Sequence, residues 1–185
     1  MALRGRNKLT DERYFFVTTT VVRFLKVFDS PQVCDILISN IKHYRSKYKF
    51  AVLAYVIMPS HFHWIVEVNP EYGTISDIMR DLKRHSSVEI TDYLKNNNFY
   101  NDIFEREAAG LKEQTRKFWM SSFDDEVIRN QHMFWDKMNY IHKNPVEAGL
   151  VLKPEAYKYS SARNYVNNDH SILEVDISQA GVIIR

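Results

Sequence analysis

Two histidines, His61 and His63, lie two residues apart in a stretch of strand-forming residues at 51–69. Successive side chains of a β-strand point to opposite faces, so residues two apart share a face. The two imidazoles are therefore predicted side by side, as a pair of nitrogen donors suited to a divalent metal. Taken alone, such a pair is more often incidental or structural than a metal site.

A second pair of chemically capable residues, Tyr140 and Asn144, lies four residues apart in a segment predicted to be helical over 129–144. At that spacing two side chains share one helix face, with Cβ atoms about 5–6 Å apart. The amide oxygen is a candidate third ligand and the phenol a candidate nucleophile. The alternative roles are a core aromatic for Tyr140 and a helix terminator for Asn144. Pro145 is predicted to end or kink the helix at Asn144, because proline removes a backbone donor and crowds the preceding turn.

The elements that must position these residues follow from hydrophobic periodicity and turn residues. Strand composition predicts strands at 14–22, 50–57, 62–68 and 118–123. Helical spacing predicts helices from 31 to about 47 and from about 74 to 94, the second opened by a capping box between Thr74 and Asp77. Residues 95–117 are predicted as a long loop with a short helix around 105–111. This order predicts an α+β fold, a ferredoxin-like antiparallel sheet with helices packed on one face, plus an additional C-terminal helix that carries Tyr140.

Length and composition predict one domain spanning 1–185, with a core at about 14–165 between a basic N-terminal arm and a C-terminal tail. The single cysteine, Cys34, excludes an internal disulfide framework. No early apolar run is long enough for a signal peptide or a membrane span, and a cytoplasmic location is expected.

The formal net charge of +2 is too small to indicate a nucleic-acid partner by itself. Local basic clusters provide candidate contacts to DNA, with a solvated protein surface as the alternative for each. These candidates are Arg4, Arg6 and Lys8 in the arm and Arg80, Lys83 and Arg84 in the second helix. His85, His132 and His142 lack a paired partner or lie off the Tyr140–Asn144 face, and we expect them to be structural or surface residues.

Two segments resemble a known family. The segment MPSHFHWIV at 58–66 is similar to the HUH motif (histidine, hydrophobic residue, histidine) of the single-tyrosine, IS200-like transposases. The segment YIHKNPVEAGLV at 140–151 resembles the block around the nucleophile of that family, in particular of its REP-associated group. The resemblance runs from about 14 to 165, nearly the whole chain.

The resemblance implies a ferredoxin-like domain that cleaves and rejoins single-stranded DNA, often next to a hairpin. It implies that Tyr140 attacks the scissile phosphodiester and becomes a 5′-phosphotyrosine, while His61, His63 and Asn144 hold Mg²⁺ or Mn²⁺. Glu126 occupies a position where many relatives carry a histidine, and no role is assigned to it. A homodimer is left open, because in some members the nucleophile helix completes the site of a partner chain.

Two other functions compete with DNA transposition. The chain is alternatively a hairpin-binding or single-strand-binding module that has lost cleavage, in which exposed aromatics stack on bases. The third interpretation is a metal-dependent phosphodiesterase, in which water replaces Tyr140 as the nucleophile.

Overall fold

The computed structural model describes residues 12–96, 98–111 and 115–179. The N-terminal candidates Arg4, Arg6 and Lys8 lie outside these described residues. Within them the chain forms four strands and five α-helices. The strands are β1 (Tyr14–Thr20), β2 (Ala51–Met58), β3 (His61–Glu67) and β4 (Asp124–Val127). The helices are α1 (Pro31–Tyr48), α2 (Ile75–Tyr93), α3 (Asn98–Ala108), α4 (Gln131–Glu147) and α5 (Ala162–Asn167).

The strands form one antiparallel sheet in the order β2-β3-β1-β4. With β1-α1-β2-β3-α2 along the chain and β4 at the far edge, this is the ferredoxin-like arrangement. The predicted α+β fold is confirmed. No helix in the described ranges combines the length and the apolar character needed to cross a membrane.

The alternation of side chains along β3 divides the core into two layers. Phe62, Trp64 and Val66 belong to the larger core, which also contains the apolar faces of α1 and α2. Ile65 points the other way, into a smaller core that α4 completes. His61 and His63 share the parity of Ile65, so they lie on the face that α4 covers.

The fourth strand is not where apolar composition predicted it. Residues 118–123 form no ladder, and Trp119 makes only an isolated antiparallel bridge to Val21. Phe118, Trp119 and Phe123 are buried as core side chains instead. β4 follows at Asp124–Val127, an acidic edge strand whose residues are exposed or half-buried. An edge strand needs no apolar pattern, so composition could not reveal it.

The predicted loop at 95–117 is also wrong in part, because α3 begins at Asn98 and ends at Ala108. The short helix predicted at 105–111 therefore overlaps only the last turn of a longer one. Burial of Phe104 against Phe118, with ring centroids 5.4 Å apart, anchors α3 to the core. This tertiary contact outweighs the helix-breaking asparagines that led to the loop prediction.

Helix α4 does not end at Asn144 but continues through Pro145 to Glu147. Pro145 is itself buried, and this burial offsets the intrahelical hydrogen bond that its missing N–H cannot make. The turn beyond it is closed by the N–H of Ala148, which donates to the carbonyl of Asn144 at 3.0 Å.

The two edges of the sheet, formed by β2 and β4, differ in what covers them and in their charge. At β2, the N–H of Ile57 donates to the carbonyl of Tyr159 and the N–H of Ser161 donates to that of Tyr55, both at 2.9 Å. The segment around Ser160 thus covers the β2 edge. The β4 edge carries three consecutive acidic residues, Asp124, Asp125 and Glu126.

Candidate functional site

The two histidines are the first and third residues of β3, and their side chains project towards α4. Their ring centroids are 4.7 Å apart, with the planes inclined by 78°. His63 is 4% exposed and His61 is half-buried. Burial lowers the pKa of His61, and burial together with the neighbouring His61 ring lowers the pKa of His63 to about 3. Both imidazoles are therefore neutral at pH 7, the protonation state in which an imidazole can bind a metal.

The pairing of β1 with β3 fixes the orientation of the His63 ring. Thr18 lies directly opposite His63, and its Oγ1 is hydrogen-bonded to His63 Nδ1 at 2.7 Å. The other ring nitrogen, Nε2, is buried and has no hydrogen-bond partner among the described residues. A buried polar atom without a partner is costly, and a metal-ligating histidine characteristically hydrogen-bonds through its second nitrogen. His63 thus has the environment of a metal ligand.

Helix α4 brings Tyr140 to this pair. Asn130 caps the helix by accepting the N–H of Met133 at 2.9 Å, and Phe134, Met138 and Ile141 anchor it to the sheet. Tyr140, next to Ile141, lies at the border of this apolar stripe and is 45% exposed. A half-exposed phenol is open to a large substrate.

The Tyr140 ring contacts the histidine site of its own chain. Its centroid is 5.3 Å from that of His63, with the planes inclined by 75°. Phe16 of β1 joins the two, because it stacks on His63 at 5.7 Å and meets the edge of Tyr140 at 6.0 Å. We call Phe16, His61, His63 and Tyr140 the ring cluster.

Asn144 lies one helical turn beyond Tyr140 and is half-buried. No group of three or more histidine, cysteine or acidic side chains in the described part of the chain is arranged to hold a metal ion. A three-ligand site built on His61 and His63 therefore needs a third donor of another type, and the amide oxygen of Asn144 is the predicted candidate.

Comparison with known proteins identifies the family. Residues 9–144 match the family described as "Transposase IS200 like". The chain belongs to the IS200-like transposase family. No curated protein is similar enough to count as a match.

One solved structure shows the same fold. The structure of a REP-associated tyrosine transposase bound to a REP hairpin is similar with a TM-score of 0.62 and 22% sequence identity, over 92% of this chain and 91% of that chain. A protein from Deinococcus radiodurans R1, solved as a candidate transposase, aligns with a TM-score of 0.48 and 16% identity over 76% of this chain and 95% of its own.

In this member of the IS200-like transposase family, the basic residues predicted on α2 lie in the layer opposite the ring cluster. Arg80 is ion-paired with Asp77 at 2.7 Å. Lys83 donates to the carbonyls of Met120 at 2.7 Å and Ser122 at 3.2 Å. Arg84 is exposed on the same helix. The structure does not bring these residues to the histidines.

The other histidines have partners outside the ring cluster. His85 is hydrogen-bonded to Tyr44, and His132, which is exposed, lies 3.2 Å from a carboxylate oxygen of Asp136. His142 is hydrogen-bonded through Nε2 to Ser161 Oγ at 2.8 Å.

Four residues in or beside the ring cluster received no functional role from the sequence: Phe16, Thr18, Glu126 and Lys137. The first two belong to a predicted strand, but nothing in the sequence gives its register against His63. The ion pair between Glu126 and Lys137 joins β4 to α4. The sequence could not reveal this pair, because the position of β4 was itself mispredicted.

A cleft of about 510 Å³ lies at the other end of β3, away from the histidines. Its lining includes Arg13, Lys49, Glu67 and Asp176, which mix both signs of charge. It contains none of the residues of the ring cluster.

Proposed function

We propose that this protein cleaves single-stranded DNA and joins the resulting strand to another end, through a covalent bond between Tyr140 and the 5′-phosphate. The observation that supports the proposal is the contact between the Tyr140 and His63 rings within one chain. It puts a nucleophile beside a neutral, buried nitrogen donor without a partner. Membership of the IS200-like transposase family makes DNA the expected substrate. The REP hairpin bound to the structural neighbour suggests hairpin DNA as the first substrate to test.

In the proposed reaction, the Tyr140 hydroxyl gives up its proton and its oxygen attacks the phosphorus of the scissile phosphodiester. The bond from phosphorus to the 3′-oxygen breaks, and that oxygen leaves and takes up a proton as a 3′-hydroxyl. The number of phosphoester bonds is unchanged. A second 3′-hydroxyl can therefore reverse the step and join a new strand without ATP.

His61, His63 Nε2 and the amide oxygen of Asn144 are the residues that would hold Mg²⁺ or Mn²⁺. Such a cation supplies charge neutralisation at the phosphate and stabilises the departing 3′-oxygen. The hydrogen bond to Thr18 uses Nδ1 of His63 and leaves Nε2 without a hydrogen-bond partner among the described residues. Burial of His63 excludes water from that side of the site.

The decisive experiment is an assay for a covalent protein–DNA adduct on a denaturing gel, with hairpin-containing single strands and Mn²⁺ or Mg²⁺. We expect the wild type to form the adduct and Tyr140→Phe to form none, because the substitution removes only the attacking oxygen. Tyr93→Phe is the matched control, since Tyr93 is also half-exposed but lies on α2. Adduct formation by Tyr140→Phe at the wild-type yield would exclude Tyr140 as the nucleophile.

The same assay separates the competing functions. Tight hairpin binding without an adduct under either metal would support a binding module. Multiple turnover without a covalent intermediate would support a phosphodiesterase in which water attacks.

Metal binding by the histidines is tested with His61→Ala. We expect Mn²⁺ affinity, measured by titration followed by electron paramagnetic resonance, to fall by about tenfold or more because one of three ligands is lost. The metal-dependent adduct should disappear while the circular dichroism spectrum stays unchanged. His132→Ala, which removes an exposed imidazole on α4, should bind Mn²⁺ like the wild type. Equal Mn²⁺ affinity in His61→Ala would contradict the proposed metal site.

A further inference from the structure

Lys137 places a positive charge beside the ring cluster. It precedes Tyr140 by three residues on α4, a spacing that puts both side chains on one helix face. Its ammonium is ion-paired with the carboxylate of Glu126 on β4 and lies 4.7 Å from the centre of the Phe16 ring. The Lys137 side chain is only 27% exposed, so these two contacts hold it inside the site rather than in solvent.

The Phe16 ring connects this charge to the reacting groups. The ring that receives the Lys137 ammonium also stacks on His63 and touches the edge of Tyr140. Phe16 is therefore in contact with the ammonium of Lys137, with the proposed nucleophile Tyr140 and with the proposed metal ligand His63.

The positive charge beside the ring cluster comes from Lys137, which is paired with the carboxylate of Glu126. Of the described cationic side chains, Lys137 is the one whose ammonium is positioned over a ring of the cluster. A phosphodiester arriving there is an anion, and cleavage adds negative charge to its oxygens.

We propose that Lys137 is a further catalytic residue, which binds a non-bridging oxygen of the scissile phosphate. The inference rests on the proposed DNA cleavage by Tyr140. An ammonium has three N–H donors, so Lys137 can keep its bond to Glu126 and still donate to a phosphate oxygen. Glu126 and the face of Phe16 are positioning groups, which keep the long, flexible side chain in place before DNA arrives.

A purely structural role for this ion pair is the alternative to be excluded. Exposed and half-exposed ion pairs contribute little to stability, and Lys137 would then matter no more than any β4–α4 contact. The two roles differ in one respect, which is whether the effect of Lys137 depends on the charge of the scissile phosphate.

The experiment compares adduct formation on two hairpin substrates, one natural and one with a neutral methylphosphonate at the cleavage position. On the natural substrate we expect Lys137→Met to lower kcat/KM by about ten- to a hundredfold, the size of a lost charge-assisted hydrogen bond. On the methylphosphonate the ratio of wild-type to Lys137→Met rates should approach one, because a methyl group replaces one non-bridging oxygen and the negative charge that Lys137 binds is absent. Lys137→Arg keeps the positive charge and should stay within a fewfold of the wild type on the natural substrate.

Lys42→Met is the control, since Lys42 is an exposed lysine on α1 in the opposite layer, and it should leave both rates unchanged. Equal loss on both substrates, or a loss matched by a lower melting temperature, would show a structural ion pair and overturn the inference. Wild-type rates in Lys137→Met would overturn it as well. Those results leave the wild-type adduct intact, whereas absence of an adduct from the wild type contradicts the proposed function and this inference together.

Discussion

At the scale of single residues, the hydrogen bond between Thr18 and His63 decides which imidazole nitrogen is available. A ligand bond from Nε2 requires the proton to sit on Nδ1, where it can be donated to Thr18 Oγ1, 2.7 Å away. The sequence predicted the pair His61 and His63, and it also predicted that Tyr140 and Asn144 share one helix face. Thr18 was not predicted, because it acts through strand register, which sequence specifies only through packing across the sheet.

We expect Thr18→Val to weaken Mn²⁺ binding by about tenfold or more, since it removes the hydroxyl that fixes the His63 ring while keeping nearly the same volume. Titration with Mn²⁺ measures the effect. Thr18→Ser retains the hydroxyl and should bind Mn²⁺ nearly as well as the wild type. If Thr18→Val keeps wild-type affinity, the hydrogen bond does not position the ligand.

At the scale of the elements, α4 is the part of the fold on which the site depends. The apolar spacing of Phe134, Met138 and Ile141 was readable in the sequence and fixes the side of the helix that packs. The end of α4 could not be predicted, because the helix continues through Pro145, whose burial depends on tertiary packing. Tertiary packing also explains why the fourth strand was predicted at the wrong residues. Phe118 looks like a strand residue but fills the core, whereas the ladder is made by Asp124 and its neighbours.

Removing the anchor of α4 should therefore affect stability and activity together. Phe134 is fully buried, and Phe134→Ala should lower the free energy of unfolding by about 3–5 kcal/mol through lost burial and a cavity. Urea denaturation measures this loss, and the adduct assay should show a parallel fall because Tyr140 is no longer held at His63. Asp136→Ala, on the exposed side of α4, should change stability by no more than about 0.5 kcal/mol. A fully stable Phe134→Ala protein would mean that α4 is not held by this stripe.

At the scale of the whole molecule, His142 couples stability to pH. It lies on α4 and is hydrogen-bonded to Ser161, whose Oγ also accepts the N–H of Tyr55 on β2 at 2.9 Å. Burial lowers the pKa of His142 to about 4. Above pH 6.5 both the folded and the unfolded state carry the neutral ring, so this residue adds no pH dependence there. As the pH falls towards 4, only the unfolded state takes up the proton, and stability decreases.

We expect protonation of His142 in the unfolded state to lower the free energy of unfolding by about 2 kcal/mol between pH 7 and pH 5. Each unit by which the pKa of His142 differs between the folded and the unfolded state corresponds to about 1.4 kcal/mol. Urea denaturation at the two pH values measures it. The wild type should lose more stability than His142→Gln, which cannot be protonated. His61 and His63 act in the same direction in both proteins, so the difference between the two isolates His142. An identical loss in wild type and variant would show that His142 is protonated equally in both states.

The two sheet edges also limit how copies of this protein can assemble. Tyr55 and Ile57 of β2 already share backbone hydrogen bonds with the segment around Ser160, so among the described residues this part of the edge is not free to pair with a second chain. Two β4 edges brought together would set Asp124 and Asp125 of one copy against the same acids of another. Like charges across a strand pair repel. Continuous β-sheet addition between copies of this chain is therefore disfavoured at both described edges, which favours helices or loops as the surface of any self-association.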